Sequence, residues 1–324
     1  MTRMTPLLVT LLGCALLQPE RGLAQSYPVR SVSIISGTAA GGQSDRIARL
    51  VGQYLGELWG VPVVVENRAG ADTTIAAESV AHASPDGYTL LIAGQSNLVL
   101  AAVQGGNHLR YDPIADFAPI GRVARVPLVV AVNSSVKATT IAQLVDYAKA
   151  RPGALSYAST GMVTRLGAEL LKAAEGLDIL EIPYKSQPSA LADLLTGRID
   201  MMFIDLSVVV PHVEAGTLRL LAAAGSRRAA AAPNLPTLAE LGIRGVAVEP
   251  WYGLVAPART PPEVLVRLRS GLAEVRRVPE FRQRLQQIGY EPIDDGPEQM
   301  AAEIIGDIQR FSGIVKAAGI KGVP

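Results

Sequence analysis

Three loops in this sequence carry polar groups between an apolar strand pattern and a helical pattern. They are the segments 37–44 (Gly-Thr-Ala-Ala-Gly-Gly-Gln-Ser), 159–164 (Ser-Thr-Gly-Met-Val-Thr) and 186–189 (Ser-Gln-Pro-Ser). Because the first N–H groups of a helix have no intrahelical acceptor, such loops can hold an anion on backbone amides and hydroxyls. Loops at the carboxyl ends of strands gather at one edge of a sheet. The three loops therefore predict a polar cleft that suits a small carboxylate.

A purely structural interpretation stays open for each loop. The glycine-rich segment also fits a tight turn without a ligand, with Ser44 as the helix N-cap and Asp45 in the first turn. Ser186 fits ordinary helix capping, and so does Asp205, which follows a strand ending at Ile204. The first loop is not a nucleotide site, because it lacks both the Lys of a phosphate-binding loop and the Gly-x-Gly-x-x-Gly spacing.

Patterns of catalytic or metal-binding residues are weak. The segment 94–98 (Gly-Gln-Ser-Asn-Leu) lacks the second glycine of a nucleophile elbow. The three histidines have no local acid or serine pattern, and Asp294-Asp295 lacks the further oxygen ligands of a calcium loop. We therefore expect a protein that is not an enzyme, with no catalytic residue, no metal and no cofactor.

Composition excludes other classes of function. The chain has 324 residues, a length at which two domains are expected. Its formal charge of +1 and its 5% of aromatic residues argue against nucleic acid as a partner. With one Cys and three His, a disulfide framework or a Cys/His zinc site is excluded by count.

The N-terminus has the pattern of a secretory signal peptide in residues 1–24. Arg3 supplies a positive charge, residues 6–17 are apolar, and the small residues Gly22 and Ala24 stand at the −3 and −1 positions of a cut after Ala24. The apolar run is too short to span a bilayer, so we expect a periplasmic protein. An alternative takes Cys14 as the lipid-anchored residue of a lipoprotein.

Strand and helix patterns alternate along the rest of the chain. Predicted strands cover 32–36, 61–65, 88–93, 155–158, 179–184, 200–204 and 218–223. Predicted helices cover 47–58, 74–83, 141–150, 165–175, 189–196, 208–215, a segment from 261 and 298–318. This alternation predicts parallel βαβ units in doubly wound sheets, an α/β fold.

Two extended segments, 126–132 and 246–255, are interpreted as paired crossings between two lobes. The first lobe would then comprise residues 26–128 plus 253–324, and the second lobe residues 129–252. Two crossing strands form a hinge, and the cleft between hinged lobes is the usual place for a small ligand.

Several further motifs, taken together, resemble one known family. They are Pro62-Val63-Val64-Val65-Glu66-Asn67-Arg68-Ala69-Gly70, Pro85-Asp86-Gly87-Tyr88-Thr89-Leu90-Leu91, Tyr111-Asp112-Pro113, Pro183-Tyr184-Lys185, Trp251-Tyr252-Gly253-Leu254 and Lys316-Ala317-Ala318-Gly319-Ile320. In order and spacing they resemble the substrate-binding receptors of tripartite tricarboxylate transporters, the Bug-type receptors, over about residues 26–321. The resemblance implies a two-lobed periplasmic-binding-protein fold that captures a small carboxylate.

The resemblance also implies site residues. In the family the ligand carboxylate is held by backbone amides and bridging waters at the first strand-to-helix loop, and loops of the second lobe complete the site. The corresponding residues here are Ala40, Gly41, Gly42, Ser44, Asp45, Ser159, Gly161, Thr164 and Asp205. Gln43 and Arg165 depart from the family pattern. Gln43 would present a new side-chain amide, whereas Arg165 would either pair with a second carboxylate, favouring a dicarboxylate, or be a solvated first-turn residue.

The partners implied are a mono-, di- or tricarboxylate, or an amino or aromatic acid, and the membrane permease subunits of a transporter. We expect a monomer. Three alternatives stay open: a receptor that presents its ligand to a sensor kinase, a periplasmic enzyme, and a lipid-anchored or secreted interaction protein with an exposed apolar patch.

Overall fold

The computed structural model describes residues 27–105 and 109–317. The predicted signal segment with Cys14, and His108, lie outside the described residues. None of the helices described has both the length and the apolar composition needed to cross a bilayer.

Eleven strands and ten helices follow one another in the described chain. The strands are β1 (Val32–Ser36), β2 (Val63–Asn67), β3 (Thr89–Gly94), β4 (Phe117–Arg125), β5 (Leu128–Asn133), β6 (Ser156–Ser159), β7 (Leu180–Pro183), β8 (Met201–Asp205), β9 (Leu218–Ala223), β10 (Trp251–Pro257) and β11 (Glu291–Pro292). The helices are α1 (Gln43–Trp59), α2 (Thr74–Ala81), α3 (Ala101–Gly105), α4 (Ile141–Ala150), α5 (Met162–Glu175), α6 (Gln187–Leu195), α7 (Leu206–Glu214), α8 (Pro262–Arg277), α9 (Pro279–Gln287) and α10 (Pro297–Ala317). A π-helical turn at Ser96–Leu100 precedes α3.

The strands form two sheets, and we call the elements around them the first and the second lobe. The first sheet has the order β11-β4-β10-β3-β1-β2, and the second has the order β7-β6-β8-β5-β9. In the first sheet β1 pairs in parallel with β2 and β3, while β10 is antiparallel to β3 and β4. In the second sheet β6 is parallel to β7 and β8, while β5 is antiparallel to β8 and β9.

Each sheet contains the predicted parallel units together with antiparallel pairs. The antiparallel pairs involve β5 and β10, which lie next to the passages between the lobes, and the short edge strand β11. The chain leaves β4 at Arg125, passes through Val126 and Pro127, and enters β5. Since a strand that enters a sheet from the other lobe need not follow a crossover helix, it is free to pair in the antiparallel direction.

The two passages between the lobes lie side by side. The Val126 N–H donates to the Pro250 carbonyl at 2.7 Å, and Trp251 is in register with Arg125. Of the two segments predicted to cross, 126–132 forms β5 only from Leu128, and 246–255 becomes a strand only at Trp251. The division into residues 26–128 plus 253–324 and 129–252 stays a prediction.

Helix α1 shows how local chemistry positions the loops. Ile47, Val51 and Leu55 recur at helical spacing and are fully buried, so this face packs on the first sheet. The helix ends at Gly60, whose φ of 69° suits glycine. Its other end lies directly after β1, which brings the glycine-rich loop to the carboxyl edge of the sheet.

Candidate functional site

A cavity of about 370 Å³ lies between the two lobes. Its walls include loops of both sheets and the start of β10. Eight of the predicted site residues line it: Gly41, Gly42, Gln43, Ser44, Gly161, Thr164, Ser186 and Asp205. The loops at the carboxyl edges of the two sheets thus face each other across one space.

The loop between β1 and α1 supplies amides to this cavity. Gly42, not Ser44, is the N-cap of α1, and no side chain caps this end. The Ser44 hydroxyl instead lies 2.8 Å from the hydroxyls of both Ser36 and Thr38. Within the described part of the chain the N–H groups of Gln43 and Ser44 have no acceptor. A helix start in this state favours an anion.

Asp45 serves the loop itself and does not line the cavity. Its carboxylate accepts hydrogen bonds from the Gly41 N–H at 2.8 Å, from Asn67 Nδ2 at 2.8 Å and from Arg49 Nε at 3.0 Å. Burial works against ionisation, but the Arg49, Gly41 and Asn67 hydrogen bonds hold the pKa of Asp45 below its usual value. Ala40 is exposed and also lies outside the cavity lining.

The first loop of the second lobe is ordered by Thr164. Its Oγ1 accepts from the Thr160 N–H at 2.9 Å and donates to the Gly161 carbonyl at 3.1 Å. These bonds fix the turn that begins α5, so the start of this helix is held against the cavity.

Ser159 and Arg165 face a neighbouring cavity of about 490 Å³ and not the cleft. The Ser159 hydroxyl donates to Glu181 at 2.6 Å, and Arg165 Nε lies 3.1 Å from the same carboxylate. Arg165 is neither in the cleft, as a partner for a second carboxylate would be, nor fully solvated. It is committed to Glu181, so the argument for a dicarboxylate loses its support.

Asp205 has a different role from helix capping. It precedes α7, yet its side chain makes no capping hydrogen bond. Its Oδ2 accepts a hydrogen bond from Gln43 Nε2, and Gln43 Oε1 accepts one from the Tyr252 hydroxyl at 2.9 Å. Burial raises the pKa of Asp205 to about 6, although hydrogen bonds from Gln43 and Gln187 and the charge of Arg46 oppose the rise. A polar chain thus links the two lobes across the cleft.

Ser186 caps a helix at the cavity wall. It lines the cavity, and its hydroxyl accepts a hydrogen bond from the Ser189 N–H as the N-cap of α6. Because the hydroxyl is engaged in capping, Ser186 shapes this wall more than it offers a free donor.

Other residues of the cavity were not singled out from the sequence. They include Arg46, Asp72, Gln95, Lys185, Gln187 and Trp251. Tyr252 was predicted only as part of a crossing segment and of a family motif. Gln187 lies within the predicted loop 186–189, and Arg46 follows the first loop by two positions, so a one-turn extension of that loop would have found it. Gln95 was considered only as part of an incomplete nucleophile elbow, and Asp72 comes from a segment with no sequence signal.

Neither of the two described histidines lines the cavity. His82 places Nδ1 2.8 Å from the Glu78 carbonyl, and His212 lies in the last turn of α7. Across residues 27–105 and 109–317, no group of three or more His, Cys, Asp or Glu side chains could hold a metal ion.

A family model and a curated relative both match this chain over most of its length. A family model described as the tripartite tricarboxylate transporter family receptor matches residues 47–320. Protein BugT of Bordetella pertussis is 33% identical over 300 residues, which are 92% of this chain and 92% of that protein.

Two solved structures share the fold over nearly their whole length. Rpa4515 of R. palustris with adipate is 32% identical, with a TM-score of 0.81, over 92% of this chain and 100% of that one. MatC from Rhodopseudomonas palustris with bound malate is 28% identical, with a TM-score of 0.78, over 89% of this chain and 100% of that one. These similarities confirm the predicted α/β fold of two lobes.

Proposed function

The chain belongs to the tripartite tricarboxylate transporter receptor family, whose members are receptors and not enzymes, and from this premise we propose that it captures a small carboxylate between its lobes. After removal of residues 1–24 it would act in the periplasm as a monomer and deliver its ligand to the permease subunits of a membrane transporter. The related structures Rpa4515 with adipate and MatC with bound malate support this ligand class.

One observation carries the proposal. Gln43 and Ser44 line the cavity at the start of a 17-residue helix, and their N–H groups have no acceptor among the described residues. Amides at a helix start favour negative charge and fit the two oxygens of a carboxylate. The protein has no large positive field that would attract anions from a distance, because its formal charge is +1. Capture would therefore depend on these local dipoles.

Closure of the cleft supplies the second half of the proposal. The contacts of Gln43 with Asp205 and Tyr252 join the first-lobe loop to β8 and β10. A ligand at the amides would be enclosed by the same residues, so ligand binding and lobe contact would favour each other. Asp205 would then contribute to affinity although it does not contact the carboxylate bound at the Gln43 and Ser44 amides.

Calorimetry and thermal unfolding with a panel of mono-, di- and tricarboxylates, amino acids and aromatic acids test the proposal. We expect one acid to bind stoichiometrically, to raise the melting temperature and to be recovered unchanged. Asp205→Ala should weaken its binding at least tenfold, whereas His212→Ala, a change outside the cavity, should not. If no acid in the panel binds, the proposed function is wrong.

A further inference from the structure

The loop that carries Asp72 has an unusual backbone. Ala71, Asp72 and Thr73 have φ values of 43°, 48° and 75°, so three successive residues other than glycine occupy the left-handed region. Such residues are individually uncommon, and a run of them persists only where the surroundings hold it. The loop connects β2 to α2 in the first lobe, and it lines the cavity through Asp72 and Thr73.

The surroundings that hold this loop belong to both lobes. Thr73 packs so closely on Gly37 that a Cβ at position 37 would lie 2.5 Å from the Thr73 Cβ. On the other side Asp72 faces Gly161, where an added Cβ would lie 3.4 Å from Oδ1. The loop is thus fixed against the first glycine-rich segment while its carboxylate extends to the second lobe.

The Asp72 carboxylate occupies an anion position. Its Oδ2 accepts a hydrogen bond of 2.9 Å from the N–H of Met162, the first residue of the 14-residue helix α5. This amide is equivalent to those of Gln43 and Ser44 at the start of α1, because each is an early N–H of a helix that faces the cavity. One of the two helix starts therefore already holds a carboxylate of the protein.

An independent observation concerns Gln95, which is 2% exposed and lines the same cavity. Its Nε2 donates to Asp307 at 3.2 Å, while its Oε1 is buried without a hydrogen-bond partner among the described residues. A buried acceptor without a partner is costly, and a ligand donor would satisfy it. Gln95, Asp72 and Asp205 thus offer acceptors, which a second ligand carboxylate cannot use.

Two cations also line the cavity, and neither forms an ion pair with Asp72 in the described part of the chain. Arg46 is on α1, beside the free amides, and donates to the Tyr290 hydroxyl at 3.0 Å. Lys185 is exposed. Arg46 therefore supports a carboxylate bound at the Gln43 and Ser44 amides, and the charge of Asp72 is not balanced by an ion pair in the described part of the chain.

We propose that Asp72 is a specificity-determining residue whose carboxylate occupies the Met162 amide that a second ligand carboxylate would need. The cavity then selects acids with one carboxylate and a hydrogen-bond donor, either hydroxyl or ammonium, at the far end, and it disfavours dicarboxylates. This inference rests on the proposed function, because it assumes that the first carboxylate binds at Gln43 and Ser44.

The test is isothermal titration calorimetry of the full mature chain with matched acids of three to six carbons. Each set contains the unsubstituted acid, its ω-hydroxy and ω-amino derivatives and the dicarboxylic acid of equal length, for example butyrate, 4-hydroxybutyrate, 4-aminobutyrate and succinate. In the best-binding set we expect the hydroxy or amino acid to bind at least tenfold more tightly than the dicarboxylate.

Two variants separate the charge of Asp72 from its hydrogen bond. Asp72→Gly suits a positive φ and frees the Met162 amide. The ratio of the affinity for the hydroxy or amino acid to the affinity for the dicarboxylate should therefore shift at least tenfold toward the dicarboxylate. Asp72→Asn also tolerates this backbone and keeps an acceptor for Met162 without the charge, so its shift should be smaller. Asp146→Asn, an exposed residue of α4, is the matched control and should leave the ratio unchanged. Thermal unfolding of each variant verifies that it folds.

Each outcome decides the inference. It is overturned if the wild-type chain binds the dicarboxylate as tightly as the donor-bearing acid, if Asp72→Gly leaves the ratio unchanged, or if none of these acids binds while the wider panel yields a ligand. Any of these three results leaves the proposed function intact. If no acid in the wider panel binds, both the inference and the proposed function are wrong.

Discussion

Gln43 donates a hydrogen bond to the carboxylate of Asp205, a residue 162 positions away in the other lobe. Asp205 stands at the start of α7, where an aspartate usually caps the helix, yet its side chain turns away from that helix. The carboxylate therefore makes no capping hydrogen bond to α7 and accepts one from Gln43 across the cleft. Two loops that follow different sheets are joined at this point, which makes Asp205 sensitive to any change in the distance between the lobes.

The stability of the protein should depend on pH through Asp205. Its pKa rises to about 6 in the folded state because it is buried, so the fold favours the protonated carboxyl. This contribution to stability is complete below about pH 4 and is lost as the pH rises through about 6.

The variant Asp205→Asn lacks this titration. In urea unfolding, the stability of the variant relative to wild type should rise by up to about 3 kcal/mol between pH 4 and pH 8. An equal difference at both pH values would contradict the burial argument, and Asp146→Asn serves as the exposed control.

Tyr252→Phe should weaken the support of Gln43, the residue that contacts Asp205 across the cleft. The change removes the 2.9 Å hydrogen bond to Gln43 Oε1 and leaves that oxygen without its donor. We expect a loss of about 1–2 kcal/mol in the free energy of unfolding, together with weaker ligand binding. Tyr54→Phe is the control, because Tyr54 is also largely buried but its hydroxyl has no described hydrogen bond. Equal losses for the two variants would show that the hydroxyl of Tyr252 does not support Gln43.

Two glycines within helices should respond oppositely to the same substitution. At Gly167 in α5 an added Cβ would lie 2.5 Å from the Phe203 ring, whereas at Gly306 in α10 it would meet nothing within 4 Å. Gly167→Ala should therefore destabilise the protein by about 1–3 kcal/mol through overpacking. Gly306→Ala should stabilise it by up to about 1 kcal/mol through helix propensity. Chemical denaturation of both variants measures the two signs, and a stabilising Gly167→Ala would mean that Phe203 moves freely.

Arg125 should contribute strongly to the stability of the protein where the chain passes between the lobes. Its side chain is 9% exposed and forms an ion pair with Glu249 at 2.8 Å and a second pair with Glu291. Arg125→Met leaves two carboxylates without their cation, and we expect a loss of about 3 kcal/mol or more in unfolding free energy. Arg68→Met, which removes an exposed pair with Glu66, should cost less than about 1 kcal/mol. Similar losses would indicate that water compensates the carboxylates at Arg125.

Elements with a clear periodic pattern and local end signals could be predicted from the sequence. Helix α4 has the predicted bounds 141–150, and Thr140 caps it by accepting a hydrogen bond from the Gln143 N–H. Strands β1 and β9 also have their predicted bounds. In these segments local preference and tertiary packing agree, so periodicity alone is sufficient.

Elements that violate such patterns could not be predicted. The segment 96–105 is helical, but Leu98, Val99, Leu100 and Ala101 are all buried, which removes the polar face that marks a helix. Strand β4 contains Pro119 and Gly121, residues typical of turns, and its pairing with β10 is irregular beside them. The irregularity accommodates both residues within a strand.

For the site, chain order predicts which loops gather at a sheet edge but not which side chains meet. The loops at 41–44, 161–164 and 186 line the cavity because the strands before them end at the carboxyl edges. Asp72 reaches Met162 over a separation of 90 residues, and the contact depends on a backbone conformation that its residue types do not favour. Arg165 lines the neighbouring cavity, where it lies beside Glu181.

The position of β10 has a consequence for the order in which the protein can assemble. This strand lies between β3 and β4 and pairs with both, although it comes after every strand of the second sheet in the chain. During synthesis β3 and β4 have no partner in common until Pro257 has been made. The last strand of the second sheet ends at Ala223, and the later segment that pairs with it, at Thr237, also precedes β10. The lobe with the later sequence can therefore be complete while the lobe that begins the chain is still open.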